Sequence, residues 1–265
     1  MKAISIMYHD VVEHGAFAAS GFSGADADIY KLDRKLFADH LDAISEQAEI
    51  QPVSAFDLNR PYEKPPVLIT FDDGGRSAYS IIADDLEKHG WRGHFFVATD
   101  FIDTPSFLSE TEIRELDRRG HIIGSHSASH PLRMSSCSGK EMLDEWNRSL
   151  ERLSQIIGRR VKIASVPGGH FSGKVAETAA ECGVEILFNS EPVANIERVG
   201  NCTIIGRYTI RHKMTARETV EIASGKAIPR LRQYVFWNAK KIAKKFGGKT
   251  YLTVRERLLA KDKTD

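Results

Sequence analysis

The sequence predicts an α/β fold: a distorted (β/α) barrel of about seven parallel strands followed by a basic helical tail. Three observations carry this. Short apolar runs alternate with helix-patterned stretches from Met1 to about Gly225. Most of the helical stretches stop at a glycine, at Gly90, Gly120, Gly158 and Gly183, as helix C-termini often do. The length of 265 residues suits a single α/β barrel with its chemistry at the strand C-termini.

In chain order, the apolar runs place strands at Ala3–Tyr8, Pro66–Phe71, Gly93–Ala98, Gly120–Ser125, Ile163–Val166, Ile186–Asn189 and Thr203–Ile210. Between them, helical spacing places helices at Asp33–Ser45, Tyr79–His89, Ser109–Arg119, Gly139–Ile157 and Ser172–Cys182. No internal repeat or low-complexity linker interrupts the pattern. The domain reading is a barrel over 1–225 and a basic amphipathic extension over 226–265.

Composition describes a soluble globular chain, with 42% apolar and 28% charged residues. Cys137, Cys182 and Cys202 are far apart and form no C-x-x-C, so neither a disulfide framework nor a thiolate zinc site is implied. The start, MKAISIMYHDVV, lacks the long apolar run of a signal peptide, and no window has the roughly 18–20 apolar residues of a membrane span. The expected location is therefore cytoplasmic. The net charge of +1 hides an asymmetry: from Lys226 to the end there are 12 Lys/Arg against 3 Asp/Glu.

Two strand ends carry chemistry. Pro66–Phe71 runs directly into Asp72, Asp73, Gly74 and Gly75. Adjacent carboxylates at a buried strand end are costly unless a cation is near, and adjacent side chains of a strand point apart. One acid can thus reach a metal while the other faces another part of the pocket. The second end, GHIIGSHSASHP, places His126 after a strand and His130 four residues on, a spacing that puts two imidazoles on one metal. Pro131 biases His130 away from helical geometry.

These residues resemble the polysaccharide deacetylases of the NodB-homology group. TFDDG (Thr70–Gly74) is similar to the family's first motif, HSASH (His126–His130) to its second, and SVPGGHFS (Ser165–Ser172) to a Pro-Gly-Gly version of its third. The resemblance covers about Ile4 to Ile210. It implies a NodB-like barrel holding one divalent metal, usually zinc, on Asp73, His126 and His130, with Asp72 as the base. The implied activity is removal of N-acetyl groups from amino sugars of a polysaccharide or a lipid-linked glycan precursor, as in exopolysaccharide synthesis. Rival readings are hydrolysis of another C–N substrate, such as a formamide-bearing sugar lipid, and a non-catalytic barrel that binds saccharide or protein.

The sequence departs from the family in three places. Ser165 stands where relatives carry an arginine that steadies the base, and Arg207 is the candidate to supply that charge from a later strand. The fourth motif is not recognisable around NSEPVANIE. The late Leu-x-His that supplies the general acid is missing in its usual form, which leaves His170 as first candidate and His212 as second. His9, after the first strand, is a candidate for contact with substrate. Pro167, Gly168 and Gly169 form the turn expected to position the substrate loop, with their backbone N–H groups available to an oxyanion.

The tail segment 230–249 has apolar Leu231, Tyr234, Val235, Ile242 and Phe246 at helical spacing and a cluster of Lys240, Lys241, Lys244 and Lys245. It is expected either to pack on the barrel with a solvated lysine face or to lie peripherally on an anionic membrane, at its inner face. No nucleic-acid partner is expected, because no recognised binding module accompanies the charge.

Overall fold

The computed structural model describes residues 1–246, with side chains described through Ala239. The strands are β1 (Ile4–Tyr8), β2 (Val11–Val12), β3 (Leu32–Asp33), β4 (Val67–Phe71), β5 (His94–Val97), β6 (Ile122–Ser125), β7 (Ile163–Ser165), β8 (Ile186–Phe188), β9 (Glu197–Val199), β10 (Cys202–Ile205) and β11 (Tyr208–Thr209). The helices are α1 (Ala25–Asp28), α2 (Arg34–Ser45), α3 (Ala83–Lys88), α4 (Glu110–Arg118), α5 (Gly139–Ile157), α6 (Gly173–Glu181), α7 (Ala216–Ala223) and α8 (Ala227–Phe246).

Nine strands form one curled sheet in the order β11-β1-β4-β5-β6-β7-β8-β10-β9. All its pairs are parallel except β9 against β10. Between its far ends, the backbone N–H of Ala3 donates to Ala194 O (2.9 Å) and that of Ile196 to Met1 O (3.2 Å). The β2–β3 pair is a separate two-stranded sheet.

Strand parity sorts the residues into two cores. In β4, Val67, Ile69 and Phe71 pack outward with the helix layer, among Phe37, Leu86 and Leu116. Leu68 faces the other way, with Phe96, Ile163, Phe188 and Ile205 inside the curl. This alternation is the period of two that a strand imposes. Carried forward, it aims Thr70 and then Asp72 into the curl, along with Ser165 of β7 and His126 beyond β6.

Where local pattern and structure differ, the cause is tertiary. The expected strand 203–210 is two strands, β10 and β11, which pair with β8 and β1 on opposite sides of the sheet. The chain changes partner at Gly206–Arg207, where a Cβ on Gly206 would lie 2.3 Å from Glu191 O, closer than any side chain tolerates. The expected helix 79–89 begins as a π-helical turn, Ala78–Ile82. The short β2, β3 and β9, together with α1 and α7, were not expected. For α7 the signal was present, since Thr215 and Glu218 form a capping box.

α8 packs against β11. Gln233 Nε2 donates to Thr209 O (3.0 Å), and the Arg230 guanidinium lies over the Tyr208 ring. The lysine cluster of 240–245 and the rest of the tail to Asp265 lie outside the described side chains. No helix among the described residues is long and apolar enough to cross a membrane.

Candidate metal centre

The carboxyl ends of β4 and β6 bring three ligand-type side chains together. Asp73, His126 and His130 each offer an atom within 4.8 Å of the others. Asp73 Oδ1 lies 3.4 Å from His126 Nε2 and 3.5 Å from His130 Nε2. Three donors about 2.0–2.2 Å from one tetrahedral ion would stand roughly 3.4 Å apart, so the spacing fits a metal. The donor chemistry fits as well, because burial above all pushes His130 down to about 4 and keeps it neutral. Burial would raise Asp73, but its bond to His126 and the field of the neighbouring imidazoles outweigh that, so it is ionised.

Backbone strain puts these atoms in place. By strand alternation Asp73 would point away from Asp72, but its φ of 75° turns it back into the site. Ser127 (φ 64°) and His130 (φ 55°) are also left-handed, each at a cost of about 1–2 kcal/mol. Glu145 of α5 offsets part of this cost. Its Oε2 accepts the backbone N–H of Ala128 (2.9 Å) and Ser129 (2.8 Å), and its Oε1 accepts the Ser129 hydroxyl (2.6 Å). The loop between the two histidines is thereby fixed.

Asp72 is held differently. Arg207 donates twice, Nη1 to Oδ1 (2.6 Å) and Nη2 to Oδ2 (2.7 Å). The guanidinium is fully buried, donates from Nε to Asn189 O (2.9 Å) and sits 5.7 Å from the ring centres of both Phe96 and Phe188. Burial would raise the Asp72 carboxyl, but Arg207 and then His126 hold it below its ordinary range.

Ser165 joins the two halves. Its hydroxyl donates to Asp72 Oδ1 (3.0 Å), so its oxygen is free to accept from His126 Nδ1 (2.5 Å), which also faces Ser165 O (3.2 Å). In the neutral ring that tautomer leaves a lone pair on Nε2 toward Asp73, the arrangement of a metal-binding imidazole, whereas the protonated ring donates from Nε2 to Asp73. Burial pushes His126 down, but Asp72 and Asp73 outweigh it and raise it, so a proton competes for the position a cation would take.

Asp10 is a contributor that sequence reasoning missed. It is buried, and its Oδ1 accepts the hydroxyls of Ser20 (2.5 Å) and Ser77 (2.8 Å). A Cβ on Gly75 would fall 1.9 Å from that oxygen, so the second glycine makes room for this carboxylate to brace the loop after Asp73. The only sequence signal was an acid two residues after an apolar strand.

The remaining predicted residues lie on loops at the carboxyl ends of the strands. His9 follows β1, stacks on Tyr30 (4.7 Å between ring centres), contributes to the field on Asp72 and Asp73, and keeps a buried Nδ1 without a hydrogen-bond partner. Pro167–Gly169 is a single turn after β7, with Gly168 and Gly169 left-handed, and the half-buried His170 closes it. His212 follows β11, and its backbone N–H donates to Ile29 O (3.0 Å), beside the Tyr30 that carries His9. Phe22 packs on His130 (4.8 Å) and edge-on to Phe101 and Phe107, an aromatic wall at one side of the triad.

A curled, mostly parallel sheet flanked by helices is the architecture of the NodB-like deacetylases. The protein's fold matches that of Streptococcus pyogenes deacetylase PplD with a TM-score of 0.70, at 17% identity over 84% of this chain and 98% of that one. It matches IcaB from Ammonifex degensii at 0.68, with 20% identity over 84% and 97%. Within that class the sequence is more specific: a model of the polysaccharide deacetylase family matches residues 59–187, and that segment belongs to the family. Peptidoglycan-N-acetylmuramic acid deacetylase PdaA of Bacillus subtilis is 31% identical over 142 residues, 52% of this chain and 51% of that protein. Peptidoglycan-N-acetylglucosamine deacetylase of Bacillus cereus is 26% identical over 128 residues, 48% and 45%. The chain thus spans about half the length of these curated relatives.

Proposed function

We propose that this protein is a metal-dependent hydrolase that removes N-acetyl groups from amino sugars of a polysaccharide or of a lipid-linked glycan precursor. The observation that carries the reading is the convergence of Asp73, His126 and His130 beside an Asp72 held ionised by Arg207. The names of the relatives, deacetylases of N-acetylated glycans, support the substrate class.

Asp73, His126 and His130 would hold the metal, most fittingly zinc given two imidazoles and one carboxylate. When bound, the metal supplies electrophilic polarisation of the amide carbonyl and makes water more acidic. Asp72 accepts the proton of the attacking water. Its carboxylate is a weak base because two guanidinium bonds and a serine hydroxyl stabilise its charge, which suits a water already acidified. Arg207 and Ser165 fix its orientation, with Oδ2 3.8 Å from His126 Nε2 on the side of the triad. His9 is assigned to substrate contact, since its free Nδ1 lies on the same side, and the Pro167–Gly169 turn is assigned to lining the sugar site. Expulsion of the amine requires a proton, which we assign to His170 first and His212 second, both on loops at the carboxyl end.

The test is acetate release from N-acetylhexosamine oligomers by the purified chain. Release that stops on chelation and returns with zinc is expected. Release untouched by exhaustive chelation would remove the metal from the reaction. No release from any N-acetylated oligomer or lipid-linked sugar by metal-loaded protein would leave a binding barrel as the better reading.

A further inference from the structure

We propose that the outward face of α8 is a docking surface for a bilayer carrying anionic lipids. The surface does not depend on the catalytic reading. It rests on where the exposed apolar side chains lie and on which charges accompany them.

Among the described residues, large apolar side chains are exposed singly at Met1, Phe56, Tyr62 and Leu132, as on any soluble protein. The others all fall in α8: Ile228 (82% exposed), Leu231 (60%), Val235 (57%), Phe236 (54%) and Tyr234 (45%). Ile228, Leu231 and Val235 are three and four residues apart, so they form one stripe along the helix. The opposite side is the one that meets the barrel, through Arg230 on Tyr208 and Gln233 on Thr209. In the sequence, Ile242 and Phe246 continue the period of the stripe.

Charge selects the occupant. From Lys226 through Phe246 the basic residues are Lys226, Arg230, Arg232, Lys240, Lys241, Lys244 and Lys245, and no Asp or Glu intervenes. A second copy of the chain would bring like charge against like charge. Nucleic acid would match the charge but leave the apolar stripe in water. A bilayer with anionic head groups accommodates both, taking the stripe into the head-group boundary while exposed Arg232 meets lipid phosphates and the net basic charge of the segment is drawn to the anionic surface. The helix lies on such a surface and does not cross it.

The direction of α8 ties this surface to the site. Arg230 lies over Tyr208, Gln233 bonds to Thr209, and Phe236 lies under Arg211 (5.1 Å). Successive contacts therefore advance toward the carboxyl end of β11, the end of the sheet where Asp73, His126 and His130 stand. Ten further helical residues to Phe246 extend the helix by about 15 Å in that direction. A protein lying on α8 carries the mouth of its site beside the head groups, where a lipid-linked saccharide would be presented.

The experiment is co-sedimentation of the whole 265-residue chain with vesicles of phosphatidylcholine alone and of phosphatidylcholine mixed with phosphatidylglycerol. Binding to the mixed vesicles at low salt is expected, with loss near 1 M salt, where the Debye length is about 3 Å. Leu231→Asp and Val235→Asp should each lower partitioning by roughly tenfold, with metal content and hydrolysis of a soluble oligomer unchanged. Arg232→Gln should weaken binding to the mixed vesicles and leave residual binding to phosphatidylcholine unaffected. Wild-type protein remaining in the supernatant with the mixed vesicles at low salt overturns the proposal. So does equal binding to both vesicle types, which would mean that anionic lipid is not the partner. A dimer in sedimentation analysis that Leu231→Asp dissolves, without vesicle binding, would assign the face to a second copy instead.

Discussion

β6 has a histidine at each end. His121 precedes it and His126 follows it, and both are buried. At the amino end, His121 Nδ1 accepts the backbone N–H of Gly93 (3.1 Å) and Nε2 donates to Glu87 (3.0 Å). Both nitrogens are spent on the fold. At the carboxyl end, His126 spends only Nδ1, on Ser165, and turns Nε2 toward Asp73. His94, at the amino end of β5, repeats the first pattern, with Nδ1 donating to Ile69 O (2.9 Å) and Nε2 accepting from Ala55 N (3.0 Å). The two ends of one sheet thus use the same side chain oppositely. Burial does not separate them; the partner of the second nitrogen does.

The largest expected effect separates the two ends by metal content. His126→Ala should lose stoichiometric metal, and with it turnover, while His121→Gln should keep its metal and lose only stability, by about 1–3 kcal/mol for the buried partners left behind. Elemental analysis and thermal melts of the two purified variants make the comparison. Equal metal content in both would erase the distinction.

A smaller effect sharpens the division within the carboxyl end. Asp72→Asn should hold its metal and the side-chain volume, but its amide NH2 cannot accept from Arg207 and cannot take a proton from water, so turnover should drop by something like 10²- to 10⁴-fold. Added zinc should not restore it. Near-normal turnover with metal bound would show that Asp72 is not the base.

The smallest effect belongs to the amino end and is read by pH. Burial, only partly opposed by bonds to Ile69 and Glu87, holds His94 and His121 down to about 4, below the ordinary value of 6.5. The unfolded chain therefore binds more protons than the folded one between these values. Their contribution to stability is fully present above pH 6.5 and is lost as pH falls toward 4. The melting temperature of the metal-loaded protein should decline across that window, and His94→Gln should flatten the decline. An unchanged slope in His94→Gln would mean that acid sensitivity comes from elsewhere.

Much of the site could be read from the chain. Asp72, Asp73 and His126 follow apolar runs directly, so they were placed at strand ends before their neighbours were known, and His130 was tied to His126 by its four-residue spacing. Ser165 was visible only as the absence of an arginine, because its function lies in bonds to Asp72 and His126, 93 and 39 residues away. Asp10 and Glu145 carried no motif, since what they brace is backbone belonging to other loops. His94 and His121 could not be told from ligands by type or by burial pattern.

The sequence by itself determined the alternation of strands and helices, the presence of paired carboxylates and spaced imidazoles after two apolar runs, and the basic character of the last helix. These depend on local periodicity, on adjacent residues and on composition. Only the tertiary structure decided that the run 203–210 breaks at Gly206, that β11 crosses to lie beside β1, and that Arg207 thereby enters the curl to grip Asp72 across 135 residues. It likewise decided which face of α8 meets β11 and which stays in water. The physical reason is the same in each case. Hydrogen bonds and burial are settled by which strands become neighbours, and strand order is a property of the whole sheet that no local stretch of the chain contains.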